Sequence, residues 1–183
     1  MPRTTGWTGL WGEEMRQQVK RLVFCALLTA IALTIFMIEA QLPALAPVPG
    51  IKLGLANIVT VYAMFALGPR DTLLILVSRV FLGSLFAGGS TFLYSLAGGL
   101  LCYAAMLVMR KFLTVKQLWV CGAIGSVFHN LGQMAVAVWI AKTVGLVMYL
   151  PFMIIPGIIA GVFTGLAAQF LLARVGERLK LDI

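Results

Sequence analysis

Charged residues are scarce in this sequence. Of its 183 residues only 11% are Asp, Glu, Lys or Arg, whereas 61% are hydrophobic, and the mean hydropathy is +1.02. Soluble domains contain about 25% charged and about 45–50% apolar residues, so the composition excludes an ordinary soluble protein. It predicts an integral membrane protein. At about 20 apolar residues per spanning helix, the length has room for about six helices in one membrane domain.

Groups that carry catalysis are fewer still. The chain has six acidic residues and one histidine, and Glu39 is the only carboxylate expected within the spans, so no acidic cluster can hold Mg²⁺. Neither a G-x-x-x-x-G-K-[ST] phosphate loop nor an H-E-x-x-H zinc pair occurs. One histidine and one embedded carboxylate suit paired acid and base catalysis poorly. We therefore expect no ATPase site, no enzymatic activity, no metal and no cofactor.

The sequence also has few features of a secreted protein, since it contains only three cysteines and no recognisable cleavable leader. Cys25, Cys102 and Cys121 each lie inside an apolar run, so they indicate small packing residues and no disulfide framework. The first 21 residues contain Trp and basic residues but no apolar core that ends at a small-residue cleavage site. We expect residues 1–21 to form a cytoplasmic segment on the lipid headgroups.

What the sequence does contain is a series of apolar runs separated by Pro, Gly or charge. The runs fall at 22–42, 52–68, 72–87, 91–109, 117–141 and 151–173. They predict an all-α polytopic bundle of six transmembrane helices over 22–175, followed by a cytoplasmic tail at 176–183.

Basic residues are distributed unequally between the two sides of this bundle. In a six-helix arrangement, eleven of the fourteen fall on one side: Arg3, Arg16, Lys20, Arg21, Arg70, Arg110, Lys111, Lys116, Arg174, Arg178 and Lys180. Because cytoplasmic loops hold the excess of Lys and Arg, both termini are predicted to be cytoplasmic, in the plasma membrane. The formal charge of +8 then follows from topology and implies no nucleic-acid partner.

The three remaining basic residues are Lys142 in the outer loop between the fifth and sixth runs, Lys52 at the outer start of the second and Arg79 near the middle of the third. A charge near the bilayer centre costs at least ~2.5–3.5 kcal/mol, so Arg79 should be paired, face the interior or be functional. Glu39 is the obvious counter-charge. A structural ion pair with Lys52 or Arg79 and an outward pocket for a polar head group both remain open.

Polar residues in the fifth run share one helical face. Ser126, His129, Asn130 and Gln133 are spaced by three and four, and such a stripe cannot face lipid without cost. It predicts either interhelical hydrogen bonds or the lining of a ligand cavity.

Two other runs have polar or small-residue faces. In the second run, Asn57 lies about 140° from Lys52 if the helix is regular, so the two need not share one contact. The fourth run has a face of small and polar residues for which close helix packing and binding are both open: Thr91, Tyr94, Ser95, Gly98 and Cys102.

Small-residue repeats predict close helix contacts. Gly157, Gly161 and Gly165 form an uninterrupted GxxxGxxxG in the sixth run, and Ala26 and Ala30 form AxxxA in the first. Either pattern lets two backbones approach closely.

Six short helices, cytoplasmic termini and AxxxA resemble the substrate-binding S component of energy-coupling factor (ECF) transporters. More specifically, PGIKLGLANIVTVYAMFALGPRD, SRVFLGSLFAGGSTFLYSLAGGL and GSVFHNLGQ are similar to the Gx transporter family, whose members are often labelled heptaprenyl diphosphate synthase component I. The resemblance covers roughly residues 22–175.

The resemblance implies an importer subunit that captures a small molecule outside and works with a transmembrane coupling subunit and two cytoplasmic ATPases. It implies that Ala26 and Ala30 contact the coupling subunit and that the pocket opens outward. By position and polarity, the candidate substrate-binding residues are Glu39, Gln41, Lys52, Asn57, Arg79, Tyr94, His129, Asn130 and Gln133.

Two other functions and the substrate stay open. A membrane accessory to prenyl diphosphate or quinone precursor metabolism would fit the family's label, although the aspartate-rich motifs of prenyl synthases are missing. A stand-alone carrier or scaffold assembled through the sixth-run glycines is the third option. The basic residues suit a carboxylate or phosphate, whereas the apolar walls suit a ring or an isoprenoid.

Overall fold

The computed structural model describes residues 7–41 and 52–175. This part of the chain contains six α-helices and no strand, so the all-helical prediction is confirmed. The helices are α1 (Trp7–Glu39), α2 (Asn57–Ala66), α3 (Pro69–Ala87), α4 (Gly89–Met109), α5 (Leu118–Ala141) and α6 (Leu150–Val175). Short 3-10 helices at Val115–Gln117 and Val144–Tyr149 precede α5 and α6.

Four helical stretches in the described residues are long and apolar enough to cross a membrane: Gly12–Glu39, Thr91–Met109, Val115–Ala141 and Val144–Arg174. By contrast, α2 has only 10 residues, about 15 Å against a hydrocarbon core of about 30 Å. Helix α3 has 19 residues but includes Arg70, Asp71 and Arg79. The chain is therefore a multi-pass membrane protein with at least these four candidate spans.

The start of the second helix differs from the prediction. The apolar run indicated a helix from residue 52, whereas residues 52–56 are not helical and α2 begins at Asn57. Gly54 has φ +83°, a left-handed conformation that glycine adopts without steric cost. The N–H groups of Gly54 and Leu55 are bonded to a side chain of α1 instead of entering a helix.

The first helix is longer than its apolar run. It continues without a break from Trp7 through the predicted boundary between residues 21 and 22. The segment expected on the headgroups is thus an extension of α1, and its position relative to the membrane stays a prediction.

Helix α2 occupies the middle of the bundle. It contacts all five other helices, α5 lies between α4 and α6, and α1 packs against α3. Seven of its ten residues are buried, among them Val61, Ala63 and Met64 at 0% exposure. A helix this short is marginal on its own, so tertiary packing must stabilise it.

The glycines of α6 face α5 of the same chain. A Cβ added to Gly161 would collide with the Gly122 carbonyl, and one added to Gly165 would collide with the Leu118 carbonyl. The predicted close helix contact therefore exists within the chain. These glycines do not offer a surface for a second copy, which removes the interface that the scaffold hypothesis needed.

An ion pair fixes one end of the bundle. Arg21 of α1 donates to the Asp71 carboxylate at 2.6 Å, and Asp71 lies in the first turn of α3, where a negative charge is favoured by the helix dipole. The Tyr103 hydroxyl of α4 donates to the Pro69 carbonyl at 3.1 Å. Arg21 lies 18 residues before Glu39 on α1, about 27 Å at 1.5 Å per residue.

Candidate functional site

A small cavity lies at the Glu39 end of the bundle, where four helices meet the segment 52–56. It has room for about one water molecule, about 10 Å³. Its walls come from α1, the segment 52–56, α3, α4 and α5: Phe36, Glu39, Lys52, Gly54, Ala56, Arg79, Ser95, His129 and Gln133. The structure thus brings together five of the nine predicted binding residues, from four separate parts of the sequence.

Glu39 holds the segment 52–56 against α1. Its side chain is 5% exposed and accepts the N–H groups of Gly54 and Leu55, the latter at 3.1 Å. Within the described residues no Lys or Arg nitrogen lies within 4.0 Å of it, since the salt bridge found there joins Arg21 and Asp71. The direct ion pair considered from the sequence is therefore not formed, and Glu39 is bonded to backbone instead.

Lys52 is held at its backbone and leaves its ammonium without a hydrogen-bond acceptor. Its N–H donates to Gln133 Oε1 at 3.2 Å, and its Nζ lies 3.4 Å from the centre of the Phe36 ring, a cation–π contact. The Nζ atom is buried and has no hydrogen-bond partner among the described residues. A buried ammonium in this state is available to an anion.

Arg79 is the second buried cation. Its side chain is 4% exposed, and its Nε has no hydrogen-bond partner in the described ranges 7–41 and 52–175. The intervening residues 42–51 include no Asp or Glu, so they cannot supply a carboxylate either. The cavity thus combines two cations with one carboxylate that is already bonded to backbone.

His129 and Gln133 contribute neutral groups. Gln133 Oε1 accepts the Lys52 N–H, so its Nε2 is the donor to His129 Nε2 at 2.8 Å. This assignment places the imidazole proton on Nδ1, which lies against Gly98 of α4. Nδ1 has no hydrogen-bond partner within the described residues, so the pair joins α5 to the segment 52–56 without adding charge.

Asn57 lies behind the cavity wall and does not line it. A Cβ built on Gly54 would be 2.7 Å from Asn57 Nδ2 and 2.9 Å from His129 Cδ2, so only glycine fits between them. The Asn57 amide is buried, and neither its Nδ2 nor its Oδ1 has a hydrogen-bond partner within the described part of the chain.

Three predicted binding residues lie elsewhere. Gln41 is exposed at the end of the described α1 segment, and Tyr94 belongs to an apolar cluster with Met134, Ala137 and Met153. Asn130 donates to the Met153 carbonyl at 2.8 Å, which is the interhelical alternative foreseen for the polar stripe. Polarity and position alone did not distinguish these residues from the cavity wall.

Four wall residues were not among the candidates. Phe36 is the informative omission, because it lies one helical turn before Glu39 and so shares its face. Gly54, Ala56 and Ser95 complete the wall. Their small side chains could not be separated from packing residues by sequence.

Ala26 and Ala30 lie on α1 away from the cavity. Both are exposed, and their spacing places them on one face of the helix. The described chain leaves this small-residue face open to a neighbour in the membrane.

A scan against protein families supplies one match, whereas no curated protein and no solved structure matches the chain. The family model is described as heptaprenyl diphosphate synthase component I and matches residues 28–171. That range contains every wall residue of the cavity and most of the predicted membrane domain. The chain therefore belongs to the heptaprenyl diphosphate synthase component I family.

Proposed function

We propose that this chain is the substrate-binding S component of an ECF-type importer and captures a small molecule that bears a negatively charged group. The observation that carries the proposal is the cavity in which two buried cations, Lys52 and Arg79, have hydrogen-bonding atoms without partners among the described residues. Buried charges are rare in membrane segments and mark sites for substrates or ions.

The position of the cavity supports capture from outside. The cavity lies at the Glu39 end of α1, whereas the basic excess falls at the other end, near Arg21 and Arg110. Since that excess marks the cytoplasmic side, the cavity faces the exterior of the plasma membrane and both termini are cytoplasmic.

Six crossings are part of the same proposal. Helix α3 can cross because Arg79 is buried and Asp71 is paired with Arg21, so two of its charges avoid lipid. Helix α2 crosses together with the segment 52–56, whose backbone is protected by the bundle. Lipid surrounds the exposed apolar faces of the outer helices.

ATP-driven transport, as proposed here, requires partners, because this sequence has no ATP-binding loop. A transmembrane coupling subunit would dock on the exposed face with Ala26 and Ala30, and a cytoplasmic ATPase pair would drive reorientation. Substrate capture at the outer side and partner docking at the inner side would favour different orientations of this chain in the membrane. Because substrate and partner would each bind one orientation more tightly than the other, the two events would be coupled. The chain itself performs no catalysis in this scheme.

The test is reconstitution of the purified chain with a coupling subunit and its ATPases in proteoliposomes. The small molecules that copurify with the chain are identified and supplied outside. The proposal expects stable assembly and ATP-dependent uptake of at least one of them. Absence of both assembly and uptake would refute it.

The family description favours one second candidate, an accessory to prenyl diphosphate synthesis. Its test is the rate of prenyl chain elongation by a catalytic partner with and without this chain. A faster rate with the chain supports this candidate, and an unchanged rate removes it.

A further inference from the structure

We infer that Glu39 sets the charge of the ligand, so that the site accepts a carboxylate with a single negative charge and rejects dianions and diphosphates. This inference rests on the proposed function and concerns the same cavity. It follows from the charges that line the cavity and from what Glu39 is bonded to.

With the carboxylate ionised and both basic side chains protonated, as is ordinary at neutral pH, the charge count of the cavity is +1. Lys52 and Arg79 each contribute one positive charge, Glu39 contributes one negative charge, and His129 is the neutral Nδ1–H tautomer. No acidic residue is encoded between 42 and 51 to alter this count. One negative charge on the ligand therefore makes the filled site neutral.

Two backbone hydrogen bonds favour the ionised form of Glu39, whereas its burial opposes that form. Both carboxylate oxygens accept N–H groups, from Gly54 and from Leu55, and hydrogen bonds to the charged form stabilise it. Lys52 and Arg79 line the same cavity as Glu39, and their positive charges also favour the carboxylate. Since two amides fix the carboxylate in place, it cannot swing away when a ligand enters.

A second negative charge on the ligand has no partner in this arrangement. An uncompensated buried charge costs several kcal/mol after relaxation, and a fixed Glu39 would repel it further. A diphosphate carries at least two negative charges at neutral pH, so the site disfavours it. A cationic ligand would face two positive side chains.

Arg79 favours a carboxylate among the monoanions. Its guanidinium is a planar fork of five donors that matches two coplanar oxygens, and its Nε is unpartnered within the described part of the chain. The cavity accommodates about one water molecule. Entry of a carboxylate therefore requires the Lys52 side chain to move from the Phe36 ring to the ligand, while the Gly54 and Leu55 amides stay bonded to Glu39.

The test measures unfolding temperatures of the purified full chain at neutral pH and a fixed low chloride concentration. The probes are formate and acetate as monoanions, and sulfate and pyrophosphate as multivalent anions. For the wild type we expect the monocarboxylates to raise the unfolding temperature by about 3–5 °C at ten times Kd, and the multivalent anions to have no such effect.

Glu39→Gln raises the charge of the cavity to +2 and keeps the shape of the side chain nearly constant. Sulfate and pyrophosphate should then stabilise this variant more than formate does. Glu14→Gln, at an exposed position of α1, is the matched control and should behave like the wild type. If Glu39→Gln does not fold, Lys52→Met carries the test. The Lys52→Met substitution lowers the charge of the cavity to zero, so formate should no longer raise the unfolding temperature of this variant.

Four results overturn the inference. They are multivalent anions that stabilise the wild type as much as monocarboxylates do, a wild type that no monocarboxylate stabilises, a folded Glu39→Gln variant that keeps the wild-type preference, and a Lys52→Met variant that keeps the formate response. Failure here is distinguishable from failure of the proposed function. ATP-driven uptake of a dianion would refute only the charge rule, whereas monocarboxylate binding without assembly or uptake would refute only the importer.

Discussion

The Glu39 carboxylate, at the end of α1, accepts the backbone N–H of Gly54, so α1 holds the segment that brings Lys52 to the cavity. The bond joins a residue on a long membrane helix to a non-helical stretch 15 residues away in sequence. A second bond holds the same segment from α5, where the Gln133 side chain accepts the Lys52 N–H. The cavity is thus assembled around a segment fixed from two helices.

Glu39→Ala should destabilise the protein. The change removes both acceptors of the Gly54 and Leu55 amides, and a buried donor left unsatisfied costs about 1–3 kcal/mol. It also leaves two cations without a carboxylate nearby. Thermal unfolding should show a decrease of at least about 2–4 °C, with Glu14→Ala as the exposed control. An unchanged unfolding temperature would contradict the role of Glu39 in holding the segment.

Arg79→Met should preserve folding while impairing function. Methionine removes a buried charge whose Nε has no partner among the described residues, so unfolding without ligand should occur at or above the wild-type temperature. ATP-dependent uptake should decrease by about 10–150-fold, the equivalent of a charged hydrogen bond of about 1.5–3 kcal/mol.

Arg16→Met is the control for this change. Because Arg16 is exposed, its substitution should leave both the unfolding temperature and the uptake rate unaltered. Loss of the folded protein in Arg79→Met, together with normal folding of Arg16→Met, would instead indicate a structural charge at position 79.

Gly54→Ala should destabilise the segment 52–56. Its φ of +83° is strained for alanine, and the added Cβ would meet Asn57 and His129. Such strain costs about 1–3 kcal/mol. Hydrogen exchange at the Leu55 amide should accelerate, whereas Gly89→Ala, where a Cβ meets nothing within 4 Å, should leave it unchanged. Equal exchange in the two variants would argue against the observed backbone.

Gly161→Ala should disturb the packing of α5 on α6. Its Cβ would be forced against the Gly122 carbonyl and Ser126 Oγ, and overpacking of this kind costs about 1–3 kcal/mol. The unfolding temperature should decrease without any change in oligomeric state. Gly145→Ala is the control, since its nearest neighbour would be 3.9 Å away. Dissociation of an oligomer at constant monomer stability would show that α6 contacts a second copy instead.

The sequence predicted much of the cavity because polarity is informative in a membrane protein. Lys52, Arg79 and His129 are costly in lipid, so each had to face the interior, and five predicted residues do line one cavity. The same reasoning did not place Asn130 correctly. Its amide donates to the carbonyl of Met153, in the first turn of α6, and does not line the cavity. A polar side chain inside a membrane bundle needs a hydrogen-bond partner, but the sequence does not identify that partner.

Other features depend on tertiary contacts that periodicity does not reveal. The start of α2 at Asn57 follows from the bonds between Glu39 and the segment 52–56, which join distant parts of the chain. Phe36 has no local signal other than its spacing from Glu39. The all-helical class and the six helices of the described residues, by contrast, followed from the apolar runs alone.

The central claim is that the Lys52 and Arg79 cavity binds the transported molecule. Its most direct test is mass spectrometry of the small molecules retained by wild-type and Arg79→Met proteins purified in parallel. We predict a carboxylate with a single negative charge that the wild type retains and the variant lacks. An identical set of retained molecules in the two proteins would contradict the account.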